Sequence, residues 1–177
     1  MKQTISITVA FTFFVLLFAN PSWAAYPKAN QGTYIYSGGA GQQKALEKAI
    51  KKISDKVSWF VRGRVHNGLK KVFGIKKKIT FKVNKGKIVV YAVGGKSIAS
   101  SLDNKPTTFR GKKGVVFITR SFSNNTLTEK VQPKGKKGYR HHRYSFSKDG
   151  KTMTLYVASY LAKLKKNLKF TVTYKKK

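Results

Sequence analysis

The chain has 177 residues, with 38 Lys and Arg against 5 Asp and Glu, a formal charge of +33 and no cysteine. Those numbers exclude a disulfide-stapled mini-protein, a thiolate metal site and a cysteine nucleophile. Hydrophobic residues make up 41% and aromatics 13%, too much for a solvated basic tail and enough for one packed core, so a single globular domain is expected.

Residues 1–24 read as a signal peptide. Lys2 opens the chain, an apolar run covers 5–18, and Pro21-Ser22-Trp23-Ala24 sets small residues at the −3 and −1 positions of a signal-peptidase site. The run is short of the roughly 20 residues that span a bilayer. Cleavage after Ala24 is therefore expected, with no transmembrane span in 25–177 and export to the periplasm or the medium.

Thr33-Tyr34-Ile35-Tyr36 predicts a first strand, closed by Ser37-Gly38-Gly39. Ala45, Leu46, Ala49, Ile50, Ile53 and Val57 then fall on one helical stripe, with Lys44, Lys48, Lys51, Lys52 and Lys56 on the other side. A second helical piece runs through Val65, Leu69, Val72 and Phe73. Gly63 and Gly68 are expected to interrupt it, because glycine costs about 1 kcal/mol inside a helix.

From Ile75 the period is two. Ile75, Ile79, Phe81 and Val83 alternate with Lys76, Lys78, Thr80 and Lys82, and Asn84-Lys85-Gly86 signals a hairpin before the run 88–93. Further runs cover 115–122, 126–131, 139–146, 152–158 and 168–174. Between the runs lie Gly94-Gly95, Asp103-Asn104-Lys105-Pro106, Ser123-Asn124-Asn125, Pro133-Lys134-Gly135 and Lys148-Asp149-Gly150, all turn chemistry. This rhythm predicts a mainly β chain: an antiparallel up-and-down β-barrel or half-barrel, or a sandwich, with one or two short helices after the first strand. No helical pattern separates the later strands, which excludes a parallel βαβ sheet.

Within 113–177 stand Gly114-Val115-Val116-Phe117, Asn125-Thr126-Leu127-Thr128, Asp149-Gly150-Lys151-Thr152-Met153-Thr154-Leu155 and Phe170-Thr171-Val172-Thr173-Tyr174. With the order of one strand, two short helices and a meander of strands, 25–177 resembles the fatty-acid-binding-protein branch of the calycin superfamily, a lipocalin-like β-barrel domain. The resemblance implies a helical pair lidding a small barrel that takes an apolar or amphipathic ligand. In that family the last strand carries an Arg-x-Tyr pair that holds a ligand carboxylate. Here the corresponding face reads Leu168, Phe170, Val172, Tyr174 without arginine, a departure that bears on carboxylate capture by that route.

Arginine is the exception among the cations, since 32 of the 38 are lysine. Alternation puts Val116, Ile118, Arg120 and Phe122 on one face of their strand, and Arg140, His142, Tyr144 and Phe146 on one face of another. Facing inward, they would set two guanidiniums, an imidazole and a phenol against aromatic rings, a constellation suited to the anionic head and apolar tail of an amphiphile. In the opposite register, or with the arginines snorkelling at the rim, no such site forms; sequence leaves both open.

Nothing in the chain nominates chemistry. His141 and His142 are strand neighbours and point to opposite faces, His66 is remote, and no metal-ligand spacing is present. No Gly-x-Ser-x-Gly elbow or phosphate-cradling loop occurs, and Glu47, Asp55, Asp103, Glu129 and Asp149 are scattered, so neither an enzyme nor a cofactor is expected. Lysine clusters at 70–71, 76–78, 112–113, 134–137, 163–166 and 175–177 spread along the whole chain. They predict non-specific attraction to anionic lipid, lipopolysaccharide or polysaccharide, or reflect solubility alone. Aromatics do not interleave with them as a stacking platform for nucleic acid would. Two function classes lead: an exported, non-enzymatic binding protein of lipocalin-like shape, or a cationic surface-interaction protein with the barrel as scaffold.

Overall fold

The computed structural model describes residues 26–92, 97–111, 114–135 and 137–177. The expected signal segment and its cleavage point lie outside the described residues, as does Gly94-Gly95. In chain order come β1 (Gly32–Tyr36), α1 (Gly39–Ser54), α2 (Trp59–Phe73), β2 (Lys78–Asn84), β3 (Lys87–Ala92), β4 (Ile98–Ser100) and β5 (Thr107–Gly111). The series continues through β6 (Gly114–Ser123), β7 (Thr126–Pro133), β8 (Tyr139–Phe146), β9 (Thr152–Leu161) and β10 (Lys166–Lys176).

All ten strands belong to one antiparallel sheet ordered β4-β3-β2-β1-β10-β9-β8-β7-β6-β5, with β1 inserted between β2 and β10. The sheet curls into a nearly closed barrel, the mainly β architecture expected. Its end strands, β4 and β5, share no ladder among the described residues. They were not legible as strands, because β4 has three residues and β5 reads Thr-Thr-Phe-Arg-Gly, too short or too irregular to show alternation.

The helical stripe is buried as expected at Leu46, Ile50 and Ile53, while Val57, beyond the end of α1, is only half-buried. α1 packs on β10, and Gln42 locks the contact by accepting from the Thr173 N–H and donating to its hydroxyl. α2 runs unbroken through Gly63 and Gly68, contrary to the expected interruption. Both glycines have open space where a Cβ would stand, and Leu69 and Phe73, buried in the core, supply packing that outweighs their propensity cost. The real break falls between α1 and α2.

The end of the barrel away from α2 is plugged by rings. Tyr26, Tyr34, Phe81 and Phe146 contact one another edge to face or tilted, with centroids 5.3–6.3 Å apart. The Tyr34 hydroxyl donates to the Gly150 carbonyl at 2.7 Å. Gly150 has φ +68, and a Cβ there would stand 2.2 Å from the Ala29 carbonyl oxygen, so this turn accepts only glycine.

Candidate ligand-binding site

Cross-strand register sorts the inward side chains into layers. Val116 pairs with Pro133, and Ile118 with Val131, which pairs in turn with Arg140. The next layer joins Arg120, Glu129, His142 and Val157, and the one below it Phe122, Leu127, Tyr144 and Leu155. Phe146 and Met153 follow. Mostly apolar layers thus lie on both sides of the layer of Arg120, Glu129 and His142, the upper one carrying Arg140 and the lower one Tyr144.

Above the charged layer opens a cleft of about 830 Å3 reached by β3 to β8. Val90, Ile98, Val116, Ile118 and Val131 give it an apolar wall, Arg140 stands at its side, and Arg120, Glu129, His142 and Tyr144 form its polar floor. Below lies the ring cluster, where Phe122 and Phe146 stand 5.1 Å and 5.9 Å from Tyr26.

Arg120 is 2% exposed and every part of its guanidinium is engaged. Nε and Nη2 donate to Glu129 Oε2 at 2.8 and 2.5 Å, and Nη1 to the carbonyls of Ile98 and Ile88 at 2.7 and 3.2 Å and to Ser100 Oγ at 3.0 Å. Burial would raise the Glu129 carboxyl, but hydrogen bonding from His142 and the charge of Arg120 outweigh it and hold the pKa to about 2. Glu129 is therefore an anion at neutral pH.

That charge sets the tautomer of His142. Its Nδ1 lies 2.9 Å from Glu129 Oε1 and 3.2 Å from the Tyr144 hydroxyl. A carboxylate can only accept, so Nδ1 carries the proton, and Nε2 is left without a partner among the described residues. Burial pushes the Tyr144 phenol well above its ordinary value, so it stays neutral.

Arg140 differs from Arg120. Half-buried, it lies over the Phe73 ring at 4.8 Å from the centroid, and it has neither hydrogen bond nor ion pair among the described residues. Burial lowers its pKa, partly offset by Glu129 and Tyr144.

Arg120, Arg140, His142 and Tyr144 are thus brought together on the inward face. Two features of the expected arrangement are corrected. Phe122 and Phe146 belong to the ring cluster beneath the charged layer, packed against Tyr26, and neither lines the cleft. Arg120 is also not a free cation awaiting an anion, since Glu129 neutralises it within the floor. Glu129 was missed by sequence reasoning although a signal existed: Arg120 and Glu129 stand symmetrically about Asn124-Asn125, and a two-residue turn centred there sets them opposite each other.

A second carboxylate finds a histidine between the helices, also contrary to the scattering expected. Glu47 Oε1 lies 2.9 Å from His66 Nε2, and His66 Nδ1 lies 3.3 Å from Ser54 Oγ. The order serine, histidine, carboxylate resembles a nucleophilic triad, but Ser54 is 1% exposed and its hydroxyl donates to the Lys51 carbonyl. A substrate has no approach to that oxygen, and the string acts as a clamp between α1 and α2.

No protein-family model matches the chain, and no curated protein sequence matches it. Solved structures do. Lipid binding protein 8 of Caenorhabditis elegans superposes with a TM-score of 0.54 at 10% identity, covering 87% of this chain and 99% of that one. A secretary abundant heat soluble protein of Ramazzottius varieornatus gives 0.57 at 11% identity, over 86% and 98%. The Schistosoma mansoni fatty acid binding protein in complex with arachidonic acid gives 0.51 at 13% identity, over 85% and 97%. The chain has the fatty-acid-binding-protein-like, lipocalin-type barrel fold.

Proposed function

We propose that this chain is an exported, non-enzymatic binding protein whose cleft takes an apolar or amphipathic small molecule. The observation that carries the reading is the apolar cleft itself, about 830 Å3 in a barrel whose opposite end is plugged. That volume suits a small organic ligand, and a wall of branched aliphatic side chains offers it hydrophobic burial without polar competition. Arg140 is the group that meets an anionic head, and Nε2 of His142, with its proton on the other nitrogen, is an acceptor for a ligand hydroxyl, while Arg120, Glu129 and Tyr144 hold the floor in place. Two fold neighbours are a lipid binding protein and a fatty acid binding protein, which agrees with this reading.

The test is titration with a fluorescent fatty-acid analogue, followed by displacement with unlabelled fatty acids. Saturable one-to-one binding is expected in the parent, with loss in Val116→Trp, whose indole fills the cleft from a half-buried position. Binding that never saturates, or that survives Val116→Trp unchanged, would falsify the cleft as the site. Export is tested separately by the intact mass of protein recovered outside the cytoplasm, expected to begin at Ala25.

A further inference from the structure

Among the described residues, the two most exposed large apolar side chains are sequence neighbours. Trp59 is 82% and Phe60 72% exposed, at the first turn of α2, with ring centroids 6.1 Å apart in an edge-to-face pair. Soluble proteins seldom leave two such rings in water side by side without a use for them. They do not line the cleft, and they play no part in holding the fold, because α2 is anchored by Leu69 and Phe73 at its other end.

Helix geometry determines what surrounds them. Phe60, Arg64, Asn67 and Lys71 follow at i, i+4, i+7 and i+11, one outward stripe opposite Leu69 and Phe73, and all four are exposed. The exposed Trp59 flanks the head of that stripe, and Lys56 stands in the turn before it. The one acid of this turn, Asp55, is taken by Lys51 at 2.7 Å and approached by Arg62 at 3.9 Å. The outward side of α2 therefore offers two rings at one end and uncompensated cations along its length.

We propose that this face of α2 docks on an anionic phospholipid bilayer, with Trp59 and Phe60 entering the headgroup boundary and Arg64 and Lys71 lying over lipid phosphates. Charge selects this occupant. A second copy of a chain of formal charge +33 brings a like-charged stripe to the same contact and is repelled, whereas an anionic bilayer attracts the cations and offers the rings an interface they favour. Docking of this kind differs from diffuse adsorption through scattered lysines, since it has an apolar component that salt does not remove. It holds whether or not the cleft takes a ligand.

The experiment is co-sedimentation of the exported form, beginning at Ala25 and so without the apolar run 5–18, with phosphatidylcholine vesicles containing phosphatidylglycerol, at low salt and at about 1 M, where the Debye length falls to about 3 Å. The parent is expected to retain measurable partitioning at high salt. Trp59→Ser/Phe60→Ser is expected to lose about tenfold or more of it, because removing two inserted rings deletes the salt-insensitive contact. Val83→Ser/Tyr91→Ser, which removes exposed apolar groups elsewhere, is expected to match the parent. Sedimentation velocity and circular dichroism on the same samples report association and folding.

A second readout needs no disruption of the tip. In the form beginning at Ala25, Trp59 is the only tryptophan, and its indole is expected to shift to the blue on vesicles and to be quenched by spin-labelled lipid placed near the headgroups. The proposal is overturned if the parent leaves vesicles completely at high salt, if the indole is not quenched, or if the Ser variant partitions as the parent does. It is equally overturned if the parent is a dimer that the Ser variant dissolves, since the rings then serve self-association.

Discussion

The guanidinium of Arg120, on β6, donates from Nη1 to the main-chain carbonyl of Ile98, on β4, at 2.7 Å. β4 is one end of the sheet, and β6 is next to the strand at the other end. One side chain therefore crosses the seam that no ladder closes, reaching Ser100 and Ile88 as well. Its charge is balanced from behind by Glu129 on β7. A hydrogen-bonded cation with five donors suits this position, because orphaned edge carbonyls of β4 would otherwise face the interior.

The first prediction concerns that seam. Arg120→Met keeps bulk but leaves the Glu129 carboxylate buried without its main partner, and breaking a buried pair from one side costs about 3–5 kcal/mol. Urea denaturation is expected to show that loss as a lowered midpoint. Ser100→Ala removes only one acceptor and is expected to cost about 1 kcal/mol. Equal midpoints for parent and Arg120→Met would mean the seam is held by other contacts.

The acid limb of stability carries the signature of Glu129. Its pKa falls from 4.5 to about 2 on folding, so the folded carboxyl binds its proton less tightly than the unfolded one. The resulting stabilisation is complete above about pH 4.5 and disappears as pH falls towards about 2. Glu129→Gln is expected to be less stable than the parent at pH 7, because Arg120 loses its counter-charge, and to show a flatter decline through this window. The slope that remains belongs to Glu47, Asp55, Asp103 and Asp149, each lowered chiefly by a side-chain hydrogen bond at the surface. Thermal midpoints from pH 7 to pH 2 measure it, and parallel curves for the two proteins would refute the assignment.

Alternation alone carried much of this site. It placed Arg120 with Ile118 and Val116, and His142 with Tyr144 and Arg140; whether those faces point inward, which alternation left open, the structure answers by setting both groups inside. What alternation does not report is how the layers are filled. The rings at Phe122 and Phe146 look equally available to a ligand until Tyr26, from the segment before β1, packs edge-on against both. Glu129 escaped for a different reason: its partner is set by the turn at Asn124-Asn125, where both residues adopt positive φ, and five acids scattered along the chain show no spacing that marks one of them. Trp59 and Phe60 fall outside the apolar stripe of α2, and period analysis attends to stripes.

Dispersed charge makes its own prediction. With a formal charge of +33, the protein is expected to bind heparin and anionic vesicles strongly when the Debye length is about 30 Å, at 0.01 M salt, and much more weakly at about 8 Å, near 0.15 M. The residue of vesicle binding at high salt should belong to the aromatic tip of α2. Heparin, which offers no apolar boundary, should show no such residue, so elution of Trp59→Ser/Phe60→Ser from heparin is expected to match the parent. A shared loss on both matrices would show that the tip acts through something other than lipid.

Arg140 carries the last prediction, because it is uncommitted, unlike Arg120, and half-buried, unlike the exposed Lys134 that also lines the cleft. It lies against Phe73 at the end of α2, bonded to no carboxylate among the described residues, and burial already disfavours its charge. An anionic head placed beside it would gain a charge-assisted hydrogen bond without first breaking another, whereas Arg120 would have to surrender Glu129. Arg140→Gln keeps donors and much of the length but deletes the charge. Affinity for a fatty acid is expected to fall about tenfold, the order set by losing a hydrogen bond to a charged group. Affinity for a neutral analogue of the same chain length should stay unchanged, as should the urea midpoint, since no internal ion pair is lost. If fatty acid and neutral analogue weaken together, Arg140 shapes the cleft wall and reads no charge. If neither changes, the head group lies elsewhere, and Lys134, which also lines the cleft, becomes the position to substitute.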